Sequence, residues 1–272
     1  MREDILIREA RIRDAPYIKR LWQSVFNDPE EILGAFFEVY VDVRLCVLAQ
    51  LGARLAAFGL LLPAGEYVHS DGRREQCAMM YAVATDPEFR GLGCASLVTR
   101  ELLRVGAKHG FGIVALRPAS EALFDFYAKN GLYESFYCRE YTVSAPELQS
   151  ARGALPAVTR AAPEAYLARR EALLSGAAHI AFDRRALSFQ ERLYRGGGLL
   201  FVGDGCAAVE PSSGRVCVSE LLCADGDAPA ALAALAEIFP SEVYTVREPG
   251  GDTRFGMANI RAERGYMGFT FG

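Results

Sequence analysis

The chain has 272 residues, of which 51% are hydrophobic and 24% are charged, and its net charge is −4. The sequence has no basic block, which argues against nucleic-acid binding, and no run of about eighteen apolar residues, which argues against a membrane helix. Its start does not resemble a secretory signal, so we expect a cytoplasmic protein. Seven cysteines without a Cys-x-x-Cys pair and three scattered histidines favour reduced thiols over disulfides or a metal site.

The first sixty residues indicate a strand, two helices and a hairpin. Asp14 is placed to cap the first helix, and proline after Asp28 marks the start of the second, because the first helical position needs no N–H donor. The predicted elements are a strand over 5–7, a helix carrying Ile18, Leu21, Trp22 and Phe26, a helix from Pro29, and a hairpin of strands 45–50 and 55–62 around Gly52.

Residues 79–95 are the most informative segment. An apolar strand over 79–84 is ended by Asp-Pro, and a helix with apolar residues at helical spacing begins near Gly93. A helix start leaves about four N–H groups unpaired and carries partial positive charge, so it binds phosphate oxygens readily. Gly91 and Gly93 let a ligand approach the backbone, and Arg90 adds a forked cationic donor. The same glycines are also typical of a plain turn.

A second apolar strand at 112–116 completes a β-α-β unit. Arg90, Gly93 and Ala95 then fill the places of an Arg/Gln-x-x-Gly-x-Gly/Ala loop, and the segment 118–132 carries an aromatic pair, lysine and glycine before a closing strand. In these two motifs and in element order, residues 5–142 resemble the GNAT superfamily of acetyl-CoA-dependent N-acetyltransferases.

The resemblance implies an α/β (α+β) fold with a twisted, largely antiparallel mixed sheet flanked by helices. It implies that the fourth strand splays from the fifth and that pantetheine lies in the gap. Serine stands at 120 where the family often has asparagine, and Cys94 is either an acidic thiol or, as we favour, a small residue that fits the loop. The implied acetyl-CoA contacts are Val83, Ala84, Thr85, Arg90, Gly91, Leu92, Gly93, Cys94, Ala95, Ser96 and Ser120.

The resemblance also implies the catalytic groups. Tyr127 matches the family's tyrosine and is the predicted general acid, although its spacing equally suits a packed core. Glu75, just before the fourth strand, is the tentative general base, with Glu38 or a chain of water molecules as alternatives. Some relatives with extra domains use the terminal carboxylate, which here is that of Gly272.

The length predicts a second domain. A polar, proline-bearing linker over 144–156 separates a domain at 1–143 from one at 157–272, where the pattern of the first half repeats. We interpret the second domain as a diverged, GNAT-like copy. Its loop at 224–229 places Asp225 and Asp227 where a diphosphate would lie, so it should not bind CoA, and Asp227 is a helix cap.

The leading hypothesis is an N-acyltransferase that transfers an acetyl group from acetyl-CoA to a primary amine by direct attack in a ternary complex, without a metal. A rival is an acyl-CoA-binding sensor that has lost the catalytic step and uses its second domain for a partner. Aminoacyl transfer from tRNA by a related two-domain fold would require a basic patch. Whether the amine acceptor is a small molecule or a peptide, and whether the chain forms a homodimer, both stay open.

Overall fold

The computed structural model describes residues 4–39, 42–149, 154–194, 196–261 and 263–270. The chain forms two compact units, each discontinuous in sequence. Unit 1 comprises Met1–Tyr67, Arg74–Ser135 and Gly256–Ala262, and unit 2 comprises Val68–Arg73, Phe136–Phe255 and Glu263–Gly272. This division differs from the contiguous ranges 1–143 and 157–272, because the end of the last long strand belongs to unit 1.

Unit 1 is a mixed sheet flanked by helices. Its elements are β1 (Ile5–Glu9), α1 (Ala15–Phe26), α2 (Glu30–Val39), β2 (Cys46–Leu51), β3 (Arg54–Val68), β4 (Arg74–Thr85), α3 (Cys94–Lys108), β5 (Ile113–Leu116) and α4 (Glu121–Ala128), after which β6 (Tyr133–Ser144) leads into unit 2. The strands lie in the order β1-β2-β3-β4-β5, and β4 and β5 are parallel. Every element predicted for this half is present, but β4 begins at Arg74, so Glu75 lies within it.

Asp14 precedes α1 as predicted, but its carboxylate does not cap that helix. The two carboxylate oxygens instead accept hydrogen bonds from the Arg8 guanidinium at 2.7 and 2.9 Å, and one of them also accepts the Arg11 backbone N–H at 2.7 Å. A charge-assisted bidentate pair is stronger than a neutral capping bond, which explains why the side chain turns away from the helix.

Helix α3 rests closely on the sheet and so fixes the loop that precedes it. Its buried side includes Val98 and Leu102, both with no exposed surface. Gly59 on β3 makes this approach possible, because a Cβ atom there would lie 2.7 Å from Leu102 Cδ1. The start of α3 is therefore held in place by packing along the rest of the helix.

Unit 2 repeats the strand order of unit 1. Its elements are α5 (Ala145–Gln149), β7 (Val158–Arg160), α6 (Pro163–Leu173), β8 (His179–Phe182), α7 (Arg184–Leu193), β9 (Gly198–Val202), β10 (Gly205–Ser212), β11 (Arg215–Leu222), α8 (Ala228–Ile238) and β12 (Val243–Ala258). The order is β7-β9-β10-β11-β12, with β11 and β12 parallel. Two elements differ from expectation: α5 lies inside the predicted linker, and β8 was not predicted. Residues 257–258 of β12 pair with β5 in unit 1.

The core of unit 2 contains a buried ion pair. Arg170 and Glu220 are both fully buried, and the Arg170 Nε atom lies 3.0 Å from both carboxylate oxygens. The Tyr166 hydroxyl donates to Glu220 Oε1 at 2.9 Å, and the two terminal nitrogens of Arg170 donate to the carbonyl groups of Ile180 and Met267. The cluster therefore ties the C-terminal segment to α6 and β11 through satisfied polar groups.

Replacing Tyr166 with phenylalanine is expected to lower the free energy of unfolding by about 1.5–3 kcal/mol, because the buried Glu220 carboxylate loses a hydrogen-bond donor. Urea denaturation measures this change. Tyr17→Phe removes an exposed hydroxyl and should leave stability unchanged. Equal stability of the Tyr166→Phe protein and the wild type would contradict the assigned bond.

None of the helices in the described ranges is long and apolar enough to cross a membrane.

Candidate active site

The loop between β4 and α3 adopts the geometry that its glycines predict. Gly91 and Gly93 have φ values of 80° and 83°, a left-handed conformation that glycine adopts at little cost. Gly93 is the N-cap of α3, so the helix begins at Cys94. The unpaired N–H groups of the first turn therefore follow directly on the loop and are available for an anion.

A cavity of about 330 Å³ lies at this helix start. It brings together most of the predicted acetyl-CoA contacts and adds two aromatic residues. The lining residues are Thr85, Phe89, Arg90, Gly91, Gly93, Cys94, Ala95, Ser96 and Phe126.

Four predicted contacts do not line this cavity. Leu92 is 52% exposed, Val83 packs against the core and Ala84 is buried. Ser120 occupies the N-cap of α4, where its side chain makes no capping bond. Only the backbone of Val83 and Ala84 is therefore relevant to a ligand beside β4.

The charges around the cavity favour an anionic ligand. The Arg90 side chain is exposed and forms no ion pair with a residue that the structure describes. The two nearby carboxylates already have a cationic partner, since Arg54 lies 2.7 Å from Glu88 and 3.8 Å from Asp86. Arg90 is thus the charged group left for phosphate oxygens.

Cys94 is buried, and this burial raises the pKa of its thiol above the ordinary value. This direction favours the interpretation of Cys94 as a small residue that fits the loop, because desolvation disfavours a thiolate.

Strands β4 and β5 pair over only a short part of β4. Their parallel pairing covers only Cys77 to Met79 on β4, although β4 continues to Thr85. Ala82, within the unpaired part, has a φ of 49°, which is rare for a residue other than glycine and takes the backbone out of the regular ladder. The two strands are therefore unpaired where β4 reaches the cavity, which is compatible with the gap that the resemblance implies.

Tyr127 lies on α4 next to Phe126, and their ring centroids are 5.0 Å apart. It is 9% exposed, and burial raises the pKa of its hydroxyl to about 12. The hydroxyl makes no hydrogen bond to a side chain in the described part of the protein. Tyr127 is therefore a neutral, protonated group beside a cavity residue, although it does not itself line the cavity.

The structure does not bring the candidate bases to this cavity. Glu75 lies ten residues before Thr85 on β4, which at about 3.3 Å per residue places it about 30 Å away, beside Gly112 at the other end of the sheet. Glu38 is exposed on α2. Gly272 lies outside the described residues.

Asn130 is a site residue that sequence reasoning missed. It is 5% exposed, and its amide group donates to Ser96 Oγ at 3.3 Å and to the Phe126 carbonyl at 2.8 Å. Its carbonyl oxygen accepts from Arg100 at 3.0 Å. Asn130 therefore joins the first turns of α3 to α4 and fixes two cavity residues relative to each other.

Replacing Asn130 with alanine is expected to lower the free energy of unfolding by about 1–3 kcal/mol and to weaken CoA binding, because the bonds between α3 and α4 are lost. Urea denaturation and calorimetric titration with CoA measure the two effects. Lys129→Ala, at the exposed neighbouring position, should change neither. Wild-type CoA affinity in a destabilised Asn130→Ala protein would limit the residue to a purely structural role.

The corresponding loop of unit 2 has a different character. A cavity of about 300 Å³ follows β11, and its lining includes Asp225, Glu248 and Arg139. Asp227 occupies the N-cap of α8 as predicted, but its side chain makes no capping bond, whereas Pro229 lies in the first turn. Carboxylates here disfavour a diphosphate. Among the described residues no group of three or more His, Cys, Asp or Glu side chains is arranged to hold a metal ion.

Comparison with known proteins agrees with this geometry. Residues 6–136 match the acetyltransferase (GNAT) domain family. Among curated proteins no sequence matches the chain.

Similar solved structures share the fold over both units. They include a GCN5-related N-acetyltransferase from Kribbella flavida (19% identity, TM-score 0.70, 94% of this chain and 71% of the other). Also similar is a probable N-acyltransferase from Enterococcus faecalis (16% identity, TM-score 0.73, 94% of this chain and 72% of the other). A third is a GCN5-related N-acetyltransferase from Anabaena variabilis (12% identity, TM-score 0.70, 94% of this chain and 72% of the other). Residues 6–136, just under half of the chain, therefore form a domain of the GNAT acetyltransferase superfamily.

Proposed function

We propose that this protein transfers an acetyl group from acetyl-CoA to a primary amine in a ternary complex. The observation that carries the proposal is the cavity at the start of α3, which combines a glycine loop, Arg90 and unpaired helix N–H groups beside the gap between β4 and β5. This arrangement suits a diphosphate joined to an extended arm.

In the proposed complex the diphosphate lies on the first turn of α3, against Arg90. The pantetheine arm runs along the backbone of Val83 to Thr85, as an additional strand would. This placement brings the thioester into the gap near Ala82, where backbone N–H groups stabilise the oxyanion of the tetrahedral intermediate. The irregular backbone at Ala82 supports this role, because it frees the ladder on that side.

In the proposed reaction the amine gives up two protons and the leaving thiolate gains one. The ammonium form of the substrate first loses a proton to water, which leaves the neutral amine that attacks. This neutral amine attacks the thioester carbon, the C–S bond breaks, and the leaving thiolate takes a proton from the Tyr127 hydroxyl. The proton that the nitrogen releases as the amide forms then returns the Tyr127 phenolate to its neutral form. Burial raises the pKa of Tyr127 to about 12, which keeps the hydroxyl protonated at neutral pH and also makes it a weaker acid.

We propose further that unit 2 is a degenerate copy of unit 1 that does not bind CoA. Its repeated strand order and its parallel β11–β12 pair support common ancestry. The loss of the glycine loop, with Asp225 and Glu248 at the corresponding cavity, supports the loss of cofactor binding.

Incubation with acetyl-CoA and a panel of polyamines, aminoglycosides, amino acids and peptides tests the function. A colorimetric thiol reagent measures the CoA that is released, and mass spectrometry detects the acetylated product. Thiol release that depends on an amine supports the enzyme. Tight CoA binding without release for any amine would support the sensor, and absence of CoA binding would overturn both.

A further inference from the structure

A second cavity in unit 1 is larger than the one at α3 and shares no residue with it. Its volume is about 600 Å³, and it opens between β1, the start of α1, β2 and β3. Its lining includes three arginines, Arg8, Arg11 and Arg13. Most of the other lining residues are apolar or aromatic, namely Leu6, Tyr17, Leu48, Ala53 and Leu55.

One of the three arginines is already paired. Arg8 donates to both oxygens of Asp14, and its Nε atom donates to Gln50 Oε1 at 2.8 Å. The guanidinium holds the pKa of Asp14 below its usual value, so this carboxylate stays charged and the pair stays formed. Arg8, Asp14 and Gln50 therefore make a rigid, nearly neutral wall.

The other two arginines carry the net charge of the cavity. Arg11 and Arg13 are exposed and form no ion pair with a residue in the described ranges, although the charge of Arg13 also helps to lower the pKa of Asp14. Asp14 is the one carboxylate among the lining residues, and it is already paired with Arg8. Two positive charges are thus left facing a cavity in a chain whose net charge is −4. Forked guanidinium groups suit carboxylate, sulfonate and phosphate heads.

The apolar side of this cavity is open to an apolar ligand. Leu6 is 57% exposed and Tyr17 is 54% exposed, so both have surface that a ligand would cover. Leu48, by contrast, is only 1% exposed and offers little surface to a ligand. A volume of about 600 Å³ is within the usual range of small-molecule sites.

We propose that this cavity binds a small organic anion, with the anionic head held by Arg11 and Arg13 and the apolar body on Leu6 and Tyr17. The site is separate from the CoA cavity and does not depend on acetyl transfer.

Fluorescence titration of the full chain with 8-anilinonaphthalene-1-sulfonate, an apolar anion, tests the proposal. We expect one bound probe per chain, unchanged by CoA. The double variant Arg11→Gln/Arg13→Gln should bind the probe at least about tenfold more weakly, because two charge-assisted contacts are lost. Arg215→Gln, which changes an exposed arginine of unit 2, should bind it like the wild type.

The uncharged analogue N-phenyl-1-naphthylamine separates charge recognition from simple apolar binding. We expect it to bind weakly and equally to all variants, and decanoate and decyl phosphate, but not decanol, to displace the sulfonate. Unchanged sulfonate affinity in the double variant, with a wild-type melting temperature, would overturn the proposal. Displacement of the sulfonate by CoA would also overturn it, since the probe would then occupy the cavity at α3.

Discussion

Replacing Ala95 with glutamate is expected to abolish acetyl-CoA binding and leave the fold intact. Ala95 lines the cavity in the first turn of α3, beside Arg90 and Gly93. A carboxylate about 4 Å from a phosphate charge costs about 4 kcal/mol at an effective dielectric constant of about 20, which corresponds to roughly thousandfold weaker binding. An acidic residue in the first turn of a helix is itself favourable, so the loss cannot be attributed to unfolding.

Calorimetric titration with CoA measures this effect, and thermal melting checks the fold. Ala107→Glu is the matched control, because Ala107 is exposed in the last turn of the same helix. It should keep wild-type CoA affinity and lose about 0.3–1 kcal/mol of stability, since acidic groups are unfavourable at a helix end. Wild-type CoA affinity in Ala95→Glu would show that the diphosphate does not lie at the start of α3.

The second half of the chain also has a carboxylate close to a helix start. Asp225 lies before α8 at the place where unit 1 has its glycine loop before α3. The change is local in sequence, and so it could be predicted without a structure. The left-handed glycines 91 and 93 were predictable for the same reason, because a single residue's conformational preference decides them.

Features that depend on distant contacts could not be predicted in this way. Asn130 bonds to Ser96 across 34 positions, and nothing near it in sequence indicates that partner. The place of Phe126 in the cavity lining also depends on such contacts, whereas the neighbouring Tyr127 was selected by its match to a sequence motif. The return of residues 256–258 to unit 1 depends on strand pairing over more than a hundred positions, which local pattern does not encode.

Glu75 shows a second limit of sequence reasoning. Three consecutive polar residues, 74–76, begin β4, and such a run is typical of a loop as well as of the exposed end of a strand. Because the strand begins early, Glu75 lies far from the cavity along an extended chain. Distance along the strand, rather than the type of residue, separates Glu75 from the cavity at the start of α3.

Tyr127→Phe is expected to lower kcat by about a hundredfold to ten-thousandfold, the usual contribution of a general acid, with CoA affinity unchanged. Stability should change little, because the hydroxyl makes no hydrogen bond to a described side chain. Burial disfavours the phenolate and raises the pKa of Tyr127 to about 12, so the hydroxyl is protonated below that pH. The loss in kcat should therefore be constant from about pH 6 to about pH 10. Thiol release across this range measures it.

Tyr133→Phe, which removes a hydroxyl from a 38% exposed ring just after α4, should keep wild-type kcat. A kcat within about threefold of wild type for Tyr127→Phe would assign the ring to core packing and leave the thiolate to be protonated by water.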